Sequence, residues 1–219
     1  MPLQNRVSPY GHLFRTPARG TMMGNRGGPI HNEDREIVRP FLNRRWITCV
    51  LEFRGRYRAV MSPHRYTELF FLDEAVSFAA GHRPCAECRR ERFNAFKRSW
   101  STNITLRADE IDAALHLARI DSRRQKITYR APLDTLPNGA FINFDGGAWL
   151  VWDDSILLWT PERYSGCRPR PRGLTAAVLT PRPVIGCFRR GYTPAIHDSA
   201  RAFCLPELTP ERDCAISYR

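Results

Sequence analysis

The chain has 219 residues, 42% of them apolar, and its 34 Lys and Arg outnumber 22 Asp and Glu to give a formal charge of +12. That content suffices for one core or two small ones and excludes a disordered polymer. No apolar run approaches the roughly 18 residues of a membrane span, and Met1-Pro2-Leu3-Gln4-Asn5-Arg6 lacks the apolar stretch of a signal peptide, so a cytoplasmic protein without a membrane partner is expected.

Residues 1–44 carry little periodicity and much turn chemistry, as in Ser8-Pro9-Tyr10-Gly11 and Gly24-Asn25-Arg26-Gly27-Gly28-Pro29, and read as an irregular arm on the core. The stretch from Gly20 to His31 could wrap a phosphate in backbone N–H groups beside Arg19 and Arg26, but it lacks the Lys-Ser/Thr ending of a P-loop. From Trp46 to Phe53 the chain is β-branched and aromatic, Arg54-Gly55-Arg56 makes a turn, and Tyr57–Met61 alternates, which predicts a β-hairpin. A strand follows over Tyr66–Phe71, then a short helix over Leu72–Gly81 with Asp73 near its start and Gly81 as its stop.

Next comes Gly81-His82-Arg83-Pro84-Cys85-Ala86-Glu87-Cys88. Two cysteines two residues apart on a Pro-initiated turn can aim both sulfurs at one point, half of a tetrahedral zinc site. The other ligands are sought in Cys49 and His82, with His64 able to replace His82, so the expected cofactor is Zn2+ held by Cys49, His82, Cys85 and Cys88. The seven cysteines are odd in number and unevenly spaced, which fits reduced thiols better than a disulfide framework; Cys167, Cys187, Cys204 and Cys214 have no near partner and read as buried or incidental. A thioredoxin-like redox pair would need a βαβ pattern that is not seen around the motif.

After Cys88 a helix is predicted with Phe93, Phe96 and Trp100 on one face and Arg89, Arg90, Arg92, Lys97 and Arg98 mostly on the others. A second amphipathic helix covers Ala108–Ile120, followed by the basic cluster Arg119, Arg123, Arg124, Lys126 and Arg130. The charge excess is mainly arginine, whose fork suits phosphate and guanine, so nucleic acid is the first partner to consider, DNA before RNA. Its expected contacts are Arg89, Arg90, Arg92, Lys97, Arg98, Arg123, Arg124 and Lys126.

Beyond Pro137, three short strands over Ala140–Phe144, Ala148–Trp152 and Ile156–Trp159 form an antiparallel meander. Arg163–Gly173 alternates Arg and Pro and reads as an extended basic linker, Val184–Arg190 as a short helix, and the last twenty-odd residues as peripheral. The fold class is therefore α+β, in three segments: the arm 1–44, a zinc-knuckle α/β unit with basic helices over 45–130, and the meander with its basic segment over 131–219.

Phe70 to Cys88 resembles the end of the Ada-type zinc-binding domain, in which a strand and an acidic-Ala helix lead into Gly-aromatic-Arg-Pro-Cys-x-x-Cys. The resemblance covers about residues 45–100. It implies a small zinc-bound α/β unit in a DNA-repair family, where four cysteines hold the metal and one accepts a methyl group from a DNA phosphotriester. Only Cys85 and Cys88 carry over; the family's first cysteine pair is absent, Cys49 alone stands upstream, and His82 sits where the family has an aromatic residue. Three roles follow: a zinc module bound to nucleic acid, a thiolate enzyme, or a structural partner-binding protein. For the enzyme, Cys49 or Cys85 would be the nucleophile, or His82 or His116 with Glu74 or Asp73 the acid and base, but no spacing fixes such a set.

Overall fold

The computed structural model describes residues 1–57, 59–101 and 106–204, the last without its side chain. Within these residues the architecture is α+β, built on two six-stranded sheets. The first contains β1 (Arg6–Val7), β2 (Leu13–Phe14), β3 (Met22–Arg26), β4 (Trp46–Cys49), β5 (Leu69–Phe71) and β6 (Arg83–Pro84), in the order β2-β1-β5-β3-β4-β6. The second contains β7 (Tyr129–Pro132), β8 (Phe141–Phe144), β9 (Gly147–Trp152), β10 (Ser155–Trp159), β11 (Tyr164–Pro169) and β12 (Thr175–Val178), in the order β11-β10-β9-β8-β12-β7. The helices are α1 (Glu74–Ala79), α2 (Arg90–Trp100), α3 (Ala108–Arg119), α4 (Arg182–Arg189) and α5 (Arg201–Cys204). No described helix is long and apolar enough to cross a membrane.

The expected meander is present as β8, β9 and β10. Asp145 and Gly146, both at positive φ (53° and 75°), close its first hairpin in the backbone form that matches strand twist. The Arg/Pro segment departs from expectation, because Tyr164–Pro169 is not a linker but the edge strand β11 on β10. Proline and charged residues are tolerated there because an edge strand need not donate on both sides. The arm also differs: it contributes three strands, and β3 lies inside the first sheet between β5 and β4. Gly24 permits this, since a Cβ at that position would strike Ile47 O and the Phe71 ring.

The expected hairpin after Trp46 is not formed. β4 stops at Cys49 and pairs with β3 and β6, while Arg54 and Gly55 turn without a ladder; Arg58 of the expected second strand lies outside the described residues. The strand expected over Tyr66–Phe71 is shorter, Leu69–Phe71.

Helix α1 begins as its sequence suggests, with the Asp73 carboxylate accepting from Val76 N at 2.9 Å. All six of its residues are buried. Phe78 joins Phe96, Ile111 and Leu115 against Ile142 and Val151, while Ala75 and Val76 join Leu69, Phe71, Phe141 and Leu150 in a second cluster. Both clusters therefore mix residues from before and after position 130.

Arg83 anchors the knuckle to α3 through a buried fork on Asp112, with Nε–Oδ1 at 2.9 Å and NH2–Oδ2 at 2.7 Å. Asp112→Ala strands the guanidinium without its partner and is expected to cost about 3–5 kcal/mol in urea unfolding. A loss near zero would show that the pair does not hold the two elements together.

Candidate metal centre

The parallel pairing of β4 with β6 aligns Ile47 with Arg83 and Thr48 with Pro84, and Cys85 N donates to Thr48 O at 2.9 Å. Continuing that register sets Cys49 beside Cys85. The turn Cys85-Ala86-Glu87-Cys88 then leads into α2, and Glu87 N donates to Cys85 Sγ at 3.4 Å. The three sulfurs of Cys49, Cys85 and Cys88 lie within 4.8 Å of one another and could hold a metal ion. Cys49 and Cys85 are buried, whereas Cys88 is half-buried.

The trio stores its negative charge unevenly. Hydrogen bonds from Cys49 and then Cys88, reinforced by backbone amides, hold Cys85 far below the ordinary thiol range. The same contacts with Cys85 and Cys88, together with burial, push Cys49 upward. One sulfur is thus ready as thiolate, the form that binds metal and attacks electrophiles.

His82 does not join the sulfurs. Its fully buried ring packs against Phe71 and Trp46, with centroids 4.7 and 5.2 Å away, and Nε2 accepts from Arg26 Nε at 3.4 Å. Burial, then the charges of Arg26 and Arg119, keep the imidazole neutral. His64 is exposed and lies 3.6 Å from Glu33. Neither histidine belongs to the sulfur group. Cys167 is exposed and Cys187 buried; the Cys204 side chain and Cys214 lie outside the described residues.

The acid–base candidates are committed elsewhere. Glu74, with no exposed surface, takes Arg89 NH2 at 2.7 Å, Arg92 NH2 at 2.6 Å, Tyr192 OH at 2.7 Å and Ala195 N at 2.8 Å. Asp73 also accepts from Tyr164 OH at 2.7 Å and His197 N at 2.9 Å. His116 rests its ring edge-on to Phe41.

The basic residues divide. Arg90, Arg98, Arg123 and Arg124 are exposed and Lys97 is half-buried. Arg89 is buried on Glu74, and Arg92 spends its guanidinium on Glu74 and on Thr193 O, both being drawn inward by the buried carboxylate. Lys126 turns in to donate from Nζ to Ala79 O at 2.6 Å. There it joins Arg119, from the same basic stretch, and Arg26, which the sequence spacing gives no reason to associate with them. The one local hint is Gly81, at φ +87°, where a Cβ would come within 2.6 Å of the Arg119 side chain.

No family model matches the chain, and no match to it was found among curated proteins or solved structures.

In metal-free protein at pH 7, iodoacetamide is expected to modify Cys85 ahead of Cys187, whose thiol burial pushes up to about 12. Peptide mass mapping reads the order of labelling; equal labelling of both would contradict the activated sulfur.

Proposed function

We propose that Cys49, Cys85 and Cys88 bind Zn2+ as thiolates, and that the protein is a zinc module that associates with nucleic acid. The convergence of three sulfurs within 4.8 Å carries the metal reading. Thiolates are soft donors that favour zinc over the oxygen-seeking cations, and N–H···S bonds such as that from Glu87 stabilise the charged form. No His, Cys, Asp or Glu of the described residues supplies a fourth donor to the three sulfurs.

The nucleic-acid part rests on the +12 charge and on Arg90, Arg98, Arg123 and Arg124, which stay in solvent. If these four each meet one phosphate, affinity for duplex DNA falls roughly 100-fold between 50 and 200 mM salt. Binding that does not change with salt would remove this part and leave the metal centre standing.

The resemblance to the Ada-type domain suggests a further use of the same sulfurs, methyl acceptance, and Cys88 is the half-buried one a substrate could reach. Incubation with DNA carrying methyl phosphotriesters would then break the triester O–CH3 bond, form one S–CH3 bond on the Cys88 thiolate and leave a phosphodiester, seen as one methyl added by mass spectrometry; unmodified thiols would exclude it.

Elemental analysis of purified protein is expected to find about one zinc per chain, lost in Cys85→Ser and kept in His82→Gln. Because the ligands must be deprotonated, zinc should leave as pH falls. Zinc retained by Cys85→Ser, or its loss in a folded His82→Gln, would overturn the ligand assignment.

A further inference from the structure

Between the arm and the end of α3 lies a cavity of about 570 Å³. Five cations line it, Arg26, Arg39, Arg119, Arg124 and Lys126, with no Asp or Glu among the described lining residues. Arg26 is 3% exposed and Arg119 1%.

Elsewhere this chain gives its buried guanidinium groups carboxylates: Arg83 has Asp112, and Arg89 has Glu74. Here every described acceptor is neutral. Arg26 donates to Gly11 O, Pro40 O and His82 Nε2. Arg119 donates to Gly81 O and Arg44 O, and its buried Nε has no acceptor among the described residues. Lys126 has three donors and one described acceptor, Ala79 O. The nearby Asp112 already holds the fork of Arg83.

Such charge is costly to bury. Burial, followed by mutual repulsion, lowers Lys126 to about 7 and Arg119 to about 9; burial likewise takes Arg26 to about 9. A bound anion would relieve that cost.

The remaining wall suits a flat apolar body. Trp46 is clamped by Arg119 at 3.9 Å and Arg26 at 4.2 Å from its ring centre, and half-buried Phe41 packs beside it at 5.6 Å. Tyr10 and His12 stack on each other at the cavity wall, with centroids 6.0 Å apart. The volume falls within the range of small-ligand sites.

We propose that this cavity binds a nucleoside monophosphate, its phosphate neutralising Lys126, Arg26 and Arg119 and its base lying against Phe41. None of the three clustered cysteines lines the cavity, so the inference is independent of the metal reading.

The test uses the full chain in thermal-shift and calorimetric titrations with the four ribonucleoside 5′-monophosphates, the matching nucleosides and inorganic phosphate. At least one monophosphate at about 1 mM should raise Tm by several degrees, with its nucleoside and inorganic phosphate far weaker. Lys126→Met keeps the apolar stem and removes a half-buried charge, so it should fold and retain zinc while binding that monophosphate about tenfold more weakly or worse. Absence of any monophosphate effect would overturn the proposal, as would wild-type affinity in a folded Lys126→Met. A single-stranded oligonucleotide that binds through Lys126 when no monomer does would equally refute a mononucleotide site.

Discussion

The register of two short strands governs the centre of this protein. Because β4 runs parallel to β6 with Thr48 opposite Pro84, the last residue of one strand comes level with the first cysteine of the knuckle. A slip of one residue would turn Cys49 to the opposite face and leave only a pair of sulfurs. The register is pinned from both sides: β3 holds β4 in a four-residue ladder, and the Arg83–Asp112 fork holds β6 to α3. The chemistry of three thiols at positions 49, 85 and 88 thus depends on backbone pairing a few residues long. Any ion they hold would in turn fasten β4 to the turn that starts α2.

Buried charge is the second organising feature, and it is handled in two ways. Asp73 and Glu74 are neighbours in sequence, yet Asp73 ties α1 to Tyr164 and His197 while Glu74 gathers Arg89, Arg92, Tyr192 and Ala195. The contacts with Tyr164, Tyr192, Ala195 and His197 join α1 to residues 164–197, and they give both acids a structural role. Around Arg26, Arg119 and Lys126 the protein does the reverse, offering the cations, among the described residues, hydrogen bonds to backbone carbonyls and imidazoles and none to a carboxylate. The contrast within one molecule is what makes the second region stand out.

The features legible in the sequence were those with local causes. The Asp73 cap and the Gly81 stop bound α1, the aromatic face of α2 shows in its i, i+3, i+7 spacing, and Asp145-Gly146 marks the first meander hairpin. What pairing decides was hidden. Trp46–Cys49 looks like half of a hairpin, but its partners come from residues 22–26 and 83–84, and nothing in its own composition says so. The arm is poor in periodicity because β1 and β2 span two residues each, too short to display alternation. The two-residue spacing of Cys85 and Cys88 announced a metal half-site, whereas His82 could not be told from a ligand until its ring was found between Phe71 and Trp46. Basic residues were the least readable: whether an arginine meets solvent or a buried carboxylate depends on Glu74, which lies 15 residues before Arg89 and 18 before Arg92.

Zinc-edge X-ray absorption on the purified wild-type protein addresses the centre directly, since it counts the sulfurs around the ion. The account requires at least three sulfur scatterers at about 2.3 Å in a four-atom shell. A shell with fewer than three sulfurs, or protein that takes up no zinc, would contradict it.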